Sequence, residues 1–309
     1  MAMPDEFHDV ARRVNNWGRW GPDDQRGTLN LLTEDAVARA ATEIRTGQRI
    51  EVALPLSTDG VQAGLVPGRE NPVHTMTRVR EAMTGDQTDI CDSDGQLVTG
   101  LQSATHWDAL SHVCYDGRIY NGYDLDVVGP DGATTLGIEH AGPVAGRGVL
   151  LDIAGLKEVD RLHPGYAITA DDLDAACERQ GVAVSTADIV LVRTGQIRHF
   201  LEDGDRIAYA FPSAGLTIGT AIWFHEHDVA AVATDNLTCE VFPGEREDMI
   251  LPVHLLHLVE MGMTQGQNWN LEELAAACAD GGRWTFFLSA PPEPVVGGTG
   301  APVAPVAIR

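Results

Sequence analysis

The chain has 309 residues, 44% of them hydrophobic and 21% charged, and its 21 Lys and Arg against 45 Asp and Glu give a net charge of −24. A surface so acidic repels polyphosphate backbones and anionic lipid, which argues against nucleic acid or a membrane surface as partner. The five cysteines (Cys91, Cys114, Cys177, Cys239 and Cys278) are odd in number and form no C-x-x-C pair, so no disulfide framework is expected and a reducing cytoplasm is the natural setting.

In chain order, the opening "MAMPDEFHDVARRVNN" has no apolar h-region, and no later apolar run reaches membrane-spanning length. Turns dominate "NNWGRWGPDDQRGTLN" and "GLVPGREN". Trp17 and Trp20 stand in the first of these, where they either line a pocket for a planar substrate or anchor the loop on the core, the commoner role. The segment from Gly27 to about Arg45 reads as helical, with Thr33 as an N-cap before "EDAVARAATEI".

From residue 148 the pattern is regular. "GVLLDIAG" and "ADIVLVRTG" are strand-like, and between them "TADDLDAACERQG" opens on a Thr169-x-x-Asp172 capping signal and closes at Gly181. "GLTIGTAIWFHEHD" is predicted helical, "VAAVATD" a strand, "PVHLLHLVEMG" a helix and "WTFFLSA" a last strand. Strands alternating with helices predict an α/β fold with parallel strand pairs. No repeat or linker divides the chain, so one domain over 1–309 is expected, residues 1–50 forming an N-terminal arm and helix packed on it.

The stretch "QSATHWDALSHV" sets His106, Asp108 and His112 close together. A divalent cation needs several donors converging at about 2.0–2.2 Å. If the segment is a strand, His106 and Asp108 share a side. A turn after Trp107 would bring Asp108 and His112 together. The spacing is equally that of two buried, hydrogen-bonded histidines with Asp108 capping a turn, and for a short motif taken alone this second reading is the commoner one.

Other candidates are weaker. His225 and His227 are two apart beside a helix end and do not share a helical face. His257, three after His254, belongs as readily to a core helix, while His74 and His140 stand in loop-like contexts without partners. Cys114 reads as a buried apolar cysteine. G-x-G-x-x-G after a strand, G-x-x-x-x-G-K-[ST] and G-x-S-x-G are all absent, which leaves dinucleotide binding, nucleotide binding and a serine-hydrolase elbow unsupported.

"QSATHWDALSH" resembles the H-x-G-T-H-x-D-x-x-x-H signature of the cyclase-like metal hydrolases, a family that includes kynurenine formamidases, isatin hydrolases and trans-dienelactone hydrolases. "NNWGRWGPDDQRGTLNLLT", "HVCYDGRIYNG", "AAVATDN", "LPVHLLHLVEMG" and "FFLSAPPEPVVGGTGAPVAPVAIR" extend the likeness over essentially the whole chain. The resemblance implies a three-layer β/β/α swivelling-type domain with a barrel-like mixed sheet and flanking helices. It matches His106 and Asp108 to metal ligands, His112 to a second-metal ligand or general base, and His254 to a further ligand of two-metal members. Gln102 stands where the signature has its first histidine, Ala104 replaces its glycine, and Gln267 falls where two-metal members carry a carboxylate. Amide oxygens are weaker donors, so one ion, Zn²⁺ or Mn²⁺, is expected on His106 and Asp108, with help from Gln102 and water.

The resemblance thus implies a metal-dependent hydrolase of a small carbonyl compound (a cyclic amide, a lactone or an N-formyl amide) with His112 as base and a homodimer or homotetramer as the assembly. Gln267 joins the two tryptophans as a candidate pocket residue. Two alternatives stay open: a cyclase or dehydratase acting on a biosynthetic, polyketide-like intermediate, and a binding protein that has lost its metal.

Overall fold

The computed structural model describes residues 3–86 and 90–309. Its centre is a nine-stranded mixed sheet in the order Arg49–Glu51, Val306–Ile308, Thr285–Ser289, Ala145–Asp152, Ile189–Arg193, Ala231–Thr234, Gln265–Gln267, His106–Asp108 and Gly300–Pro302. Strands Ala145–Asp152, Ile189–Arg193, Ala231–Thr234 and Gln265–Gln267 are parallel neighbours, as the alternation of strands and helices predicts. The outer pairs are antiparallel, and the sheet curls into a half-barrel with helices on its flanks.

Both faces of the central strands are covered, which is why they read as unbroken apolar runs. In Ile189–Arg193, Val190 and Val192 enter one core, while Ile189 and Leu191 enter the other. The first core receives Phe7, Ala11 and Val14 from helix Asp5–Val14, Leu173 and Ala176 from Ala170–Gln180, and Phe224 from Ile218–Glu226. The second receives Leu274, Ala275 and Cys278 from helix Glu272–Gly281.

Local signals decide several boundaries. Thr169 and Asp172 form the reciprocal capping box, and Gly181 ends that helix at φ 62°. The expected helix over 27–45 is instead three short pieces: Gly27–Leu31, Glu34–Ala40 and Ala41–Glu43. Thr33 does cap, accepting from the Ala36 N–H at 3.2 Å, but a capping residue is itself extended (ψ 162°), so no helix can run through it. His74 is on an exposed strand, Val73–Met76, and not in a loop. Among the described residues, no helix is long and apolar enough to cross a membrane.

Candidate active site

The site grows from strand His106–Asp108, which lies between Gln265–Gln267 and Gly300–Pro302. Alternation turns Trp107 into the second core, edge-on to Trp269 at 4.8 Å, and sends His106 and Asp108 to the opposite side. The strand is locked from below. Thr105 Oγ1 donates to Asn268 O and accepts from the Leu54 N–H, while Asn268 Nδ2 donates to Ala104 O. Gly300 permits a close approach: a Cβ there would meet Gln102 Nε2 at 2.5 Å and Trp107 O at 2.8 Å. Beyond Asp108 the chain turns, with the His112 N–H donating to Ala109 O, and His112 comes back beside the carboxylate.

Asp108 is 1% exposed and is the centre of the cluster. Its Oδ2 accepts from Gln267 Nε2 at 2.9 Å and more loosely from Gln265 Nε2 at 3.5 Å. Its Oδ1 has no hydrogen-bond partner and stands 3.6 Å from His106 Nε2 and 3.7 Å from His112 Nε2. The His106 Nδ1–H is given to Ala104 O at 2.7 Å, which leaves the lone pair on Nε2, aimed at the carboxylate. Burial drives the His106 pKa down to about 4, against the pull of Asp108 and of the Ala104 carbonyl. The imidazole is therefore neutral, and two acceptors face each other.

Burial also lowers the pKa of His112, with His254 and Arg69 adding to the effect and Asp108 opposing it. For Asp108 burial works against the charge, yet the imidazoles of His112, His106 and His254 and the Gln267 N–H hold the carboxyl below its ordinary value. Gln102 Nε2 donates to Thr299 O at 3.2 Å and lies 3.4 Å from His112 Nδ1, so the Gln102 amide oxygen remains available as a donor to a cation.

The other wall is the segment 240–261. Leu251, in a left-handed conformation (φ 53°), precedes the turn Pro252–His254, and Leu255–Met261 continues it as a wide, π-type helix. Such turns recur at functional sites. Glu240 accepts from the backbone N–H of Val253 and of His254 and from His254 Nδ1 at 2.5 Å. That bond fixes the orientation of the His254 ring, whose placement is close enough to act on Asp108 and His112. Deeper still, His257 Nδ1 donates to Gln265 Oε1 at 3.0 Å, which turns the Gln265 amide N–H towards Asp108.

A family model described as "Putative cyclase" matches residues 27–241. The chain belongs to the cyclase family. A solved structure described as a novel cyclase is 35% identical, covers 100% of both chains and superposes with a TM-score of 0.89. Isatin hydrolase A from Ralstonia solanacearum is 19% identical over 89% of this chain and 96% of its own, with a TM-score of 0.63. A predicted metal-dependent hydrolase from Bacillus stearothermophilus is 17% identical over 84% and 97%, with a TM-score of 0.53. At those identities the last two show a shared fold. No curated protein matches the chain.

In this member of the cyclase family, His106, Asp108, His112, Gln102, Gln267 and His254 gather at one place from three separate segments. Gln267 lies against Asp108 as its hydrogen-bond partner. Trp17 donates its indole N–H to Val259 O at 2.7 Å, and Trp20 lies under Arg19, 4.8 Å from its guanidinium. The Trp17 bond ties its loop to the segment 255–261, while the partner of Trp20 is its own neighbour in the chain; among the described residues no hydrogen bond or ring contact joins either tryptophan to the imidazoles of the site. Cys114 is exposed, not buried, while its neighbours Val113 and Tyr115 pack against the first core. His227 ends its helix stacked on Trp223, outside the site.

Glu240, Gln265 and Arg69 are functional neighbours that sequence reasoning misses. Glu240 stands in "LTCEVFPG" with no histidine or second carboxylate at ligand spacing, and Arg69 lies in a turn-rich loop, so no motif marks either one.

On the fit to a metal, among the described residues no group of three or more His, Cys, Asp or Glu side chains is gathered to hold an ion. The set offers two facing donors, His106 Nε2 and Asp108 Oδ1, with the His254 imidazole and the Gln102 amide oxygen flanking them. That suits one ion completed by water and does not suit a closed structural cage. A cleft of about 510 Å³ elsewhere is lined by ion-paired Arg147, Asp188 and Glu43 and shares no residue with this site.

Proposed function

We propose that this cyclase-family protein is a metal-dependent hydrolase of a cyclic amide, a lactone or an N-formyl amide, with a single divalent ion, Zn²⁺ or Mn²⁺. The observation that carries the reading is the unpartnered Oδ1 of Asp108 facing the lone pair of His106 Nε2 at 3.6 Å. Two buried acceptors so placed repel each other unless a cation joins them. Gln102 and His254 are the flanking donors. Bound there, the ion would polarise a substrate carbonyl and lower the pKa of water at the site.

The chain's own residues supply the rest. His112, neutral because of its burial and yet with a side chain 21% exposed, can reach a water and accept its proton. The resulting imidazolium is favoured by Asp108 Oδ1, 3.7 Å from its Nε2, and can return the proton to the leaving amine or alkoxide. Gln267 and Gln265 hold the carboxylate in register through its other oxygen.

Metal analysis of chelator-stripped and reconstituted protein, with a screen against lactones, isatin-like lactams and N-formyl aromatic amines, tests the proposal. One ion per chain and net uptake of water are expected. No bound ion, or turnover that survives complete chelation, would sink it. A second reading, ring closure or dehydration without water uptake, draws support from the 35% identical relative described as a cyclase, and the water balance separates the two.

A further inference from the structure

Arg69 is half-buried, yet among the described residues its guanidinium makes no hydrogen bond or ion pair. Other arginines drawn towards the interior are ion-paired: Arg193 with Asp152 and Glu272, Arg147 with Glu43 and Asp188, and Arg198 with Glu202 and Glu272. None of the Arg69 nitrogens is among the sealed, unpartnered atoms of the interior, so its donors stay open to an incoming acceptor.

The loop that carries Arg69 is fastened to the site. Gln62 and Asn71 close it with a reciprocal pair, Gln62 N–H to Asn71 Oδ1 at 2.9 Å and Asn71 Nδ2 to Gln62 O at 3.1 Å. The Gln62 amide then donates to Ser103 O at 2.8 Å, next to Gln102. Within the loop, the Arg69 N–H closes a turn on Val66 O. The charge of Arg69 is felt at His106, Asp108 and His112 alike.

A guanidinium with its planar fork free, on a loop fastened beside the motif, matches a carboxylate through two parallel hydrogen bonds. We propose that Arg69 is a specificity-determining residue that pairs with a carboxylate on the substrate, so that the protein acts on anionic carbonyl compounds. The carbonyl chemistry rests on the metal-dependent reading, whereas the pairing with a carboxylate does not require turnover.

Calorimetric titration of the full chain with acetate and benzoate, against acetamide and benzamide, tests it, with and without Mn²⁺. The unsubstituted protein should bind a carboxylate at least tenfold more tightly than its amide. Arg69→Met should bring the two within about twofold while unfolding at the same temperature, and Arg69→Lys should keep part of the preference, a point charge without the fork. No preference in the unsubstituted protein overturns the proposal, as does a preference that survives Arg69→Met, which would place the anion on the metal. Carboxylate binding lost with Arg69, in a protein that hydrolyses nothing, would remove the hydrolase reading and leave this one standing.

Discussion

His254 and Glu240 are joined by a hydrogen bond of 2.5 Å, and the same carboxylate receives the backbone N–H of Val253 and of His254. One buried side chain thus caps the start of a helix and fixes which imidazole nitrogen faces the site.

Glu240→Gln keeps an acceptor for the backbone but weakens the hold on His254. Partners of this kind tune metal affinity or turnover by about 10- to 100-fold, so a loss of that size is expected in Mn²⁺ titrations. Glu240→Ala should in addition lower stability by roughly 1–3 kcal/mol, because three donors lose their partner. Parental ion affinity in Glu240→Gln, with a loss of stability only in Glu240→Ala, would show that the carboxylate acts only as a cap.

Asp108→Asn exchanges an acceptor for an amide that can donate to His106 Nε2. The face-to-face acceptors would then be satisfied within the protein itself. Affinity for a divalent ion should fall by roughly 100-fold or more, with a thermal midpoint close to that of the parent. Titration calorimetry and thermal unfolding read the two quantities separately, and undiminished ion binding would contradict the assignment.

Gln267→Glu places a second carboxylate against Asp108, where an amide N–H now sits 2.9 Å from Oδ2. Without metal the variant should be less stable, because like charges in a buried site cannot both ionise cheaply. With Zn²⁺ or Mn²⁺ its melting temperature should rise more than the parent's, and its metal content should exceed one per chain. A variant with parental metal content would show that residue 267 does not face the ion.

The metal-free protein should lose stability as pH falls. Burial takes His106 to about 4 and His257 to about 3, His257 despite its bond to Gln265, while in the unfolded chain both titrate near 6.5. A depressed histidine binds its proton more readily when unfolded. The penalty therefore begins as pH drops below 6.5 and grows until the folded value is reached, by roughly 1 kcal/mol per pH unit for each residue. Urea midpoints between pH 7 and 5 should show the slope, and His257→Gln should flatten it. A variant with the parental slope would assign the effect elsewhere.

The readable parts of this chain are the ones whose causes are local. The box at Thr169 and Asp172, the stop at Gly181 and the apolar runs at 148 and 189 all appear where the residues demand them. The pairing of His106 and Asp108 follows from strand alternation. Glu240, Gln265 and Arg69 are invisible in the sequence because sheet register and loop fastening bring them to the motif. Gln265 is 157 positions from Asp108, and no spacing rule spans that distance. Cys114 misleads because its apolar neighbours say nothing about where the chain turns.

The wide turn Leu255–Met261 has a consequence for how this protein can vary. An extra residue in a helix rotates everything after it by about 100°. It therefore decides whether His257 or an adjacent leucine looks towards Gln265. A one-codon deletion there would barely shorten the helix, yet it would swing the imidazole out of line with Gln265 and Asp108. Length changes that surface loops absorb freely would, in these few positions, act as a dial on the site's geometry.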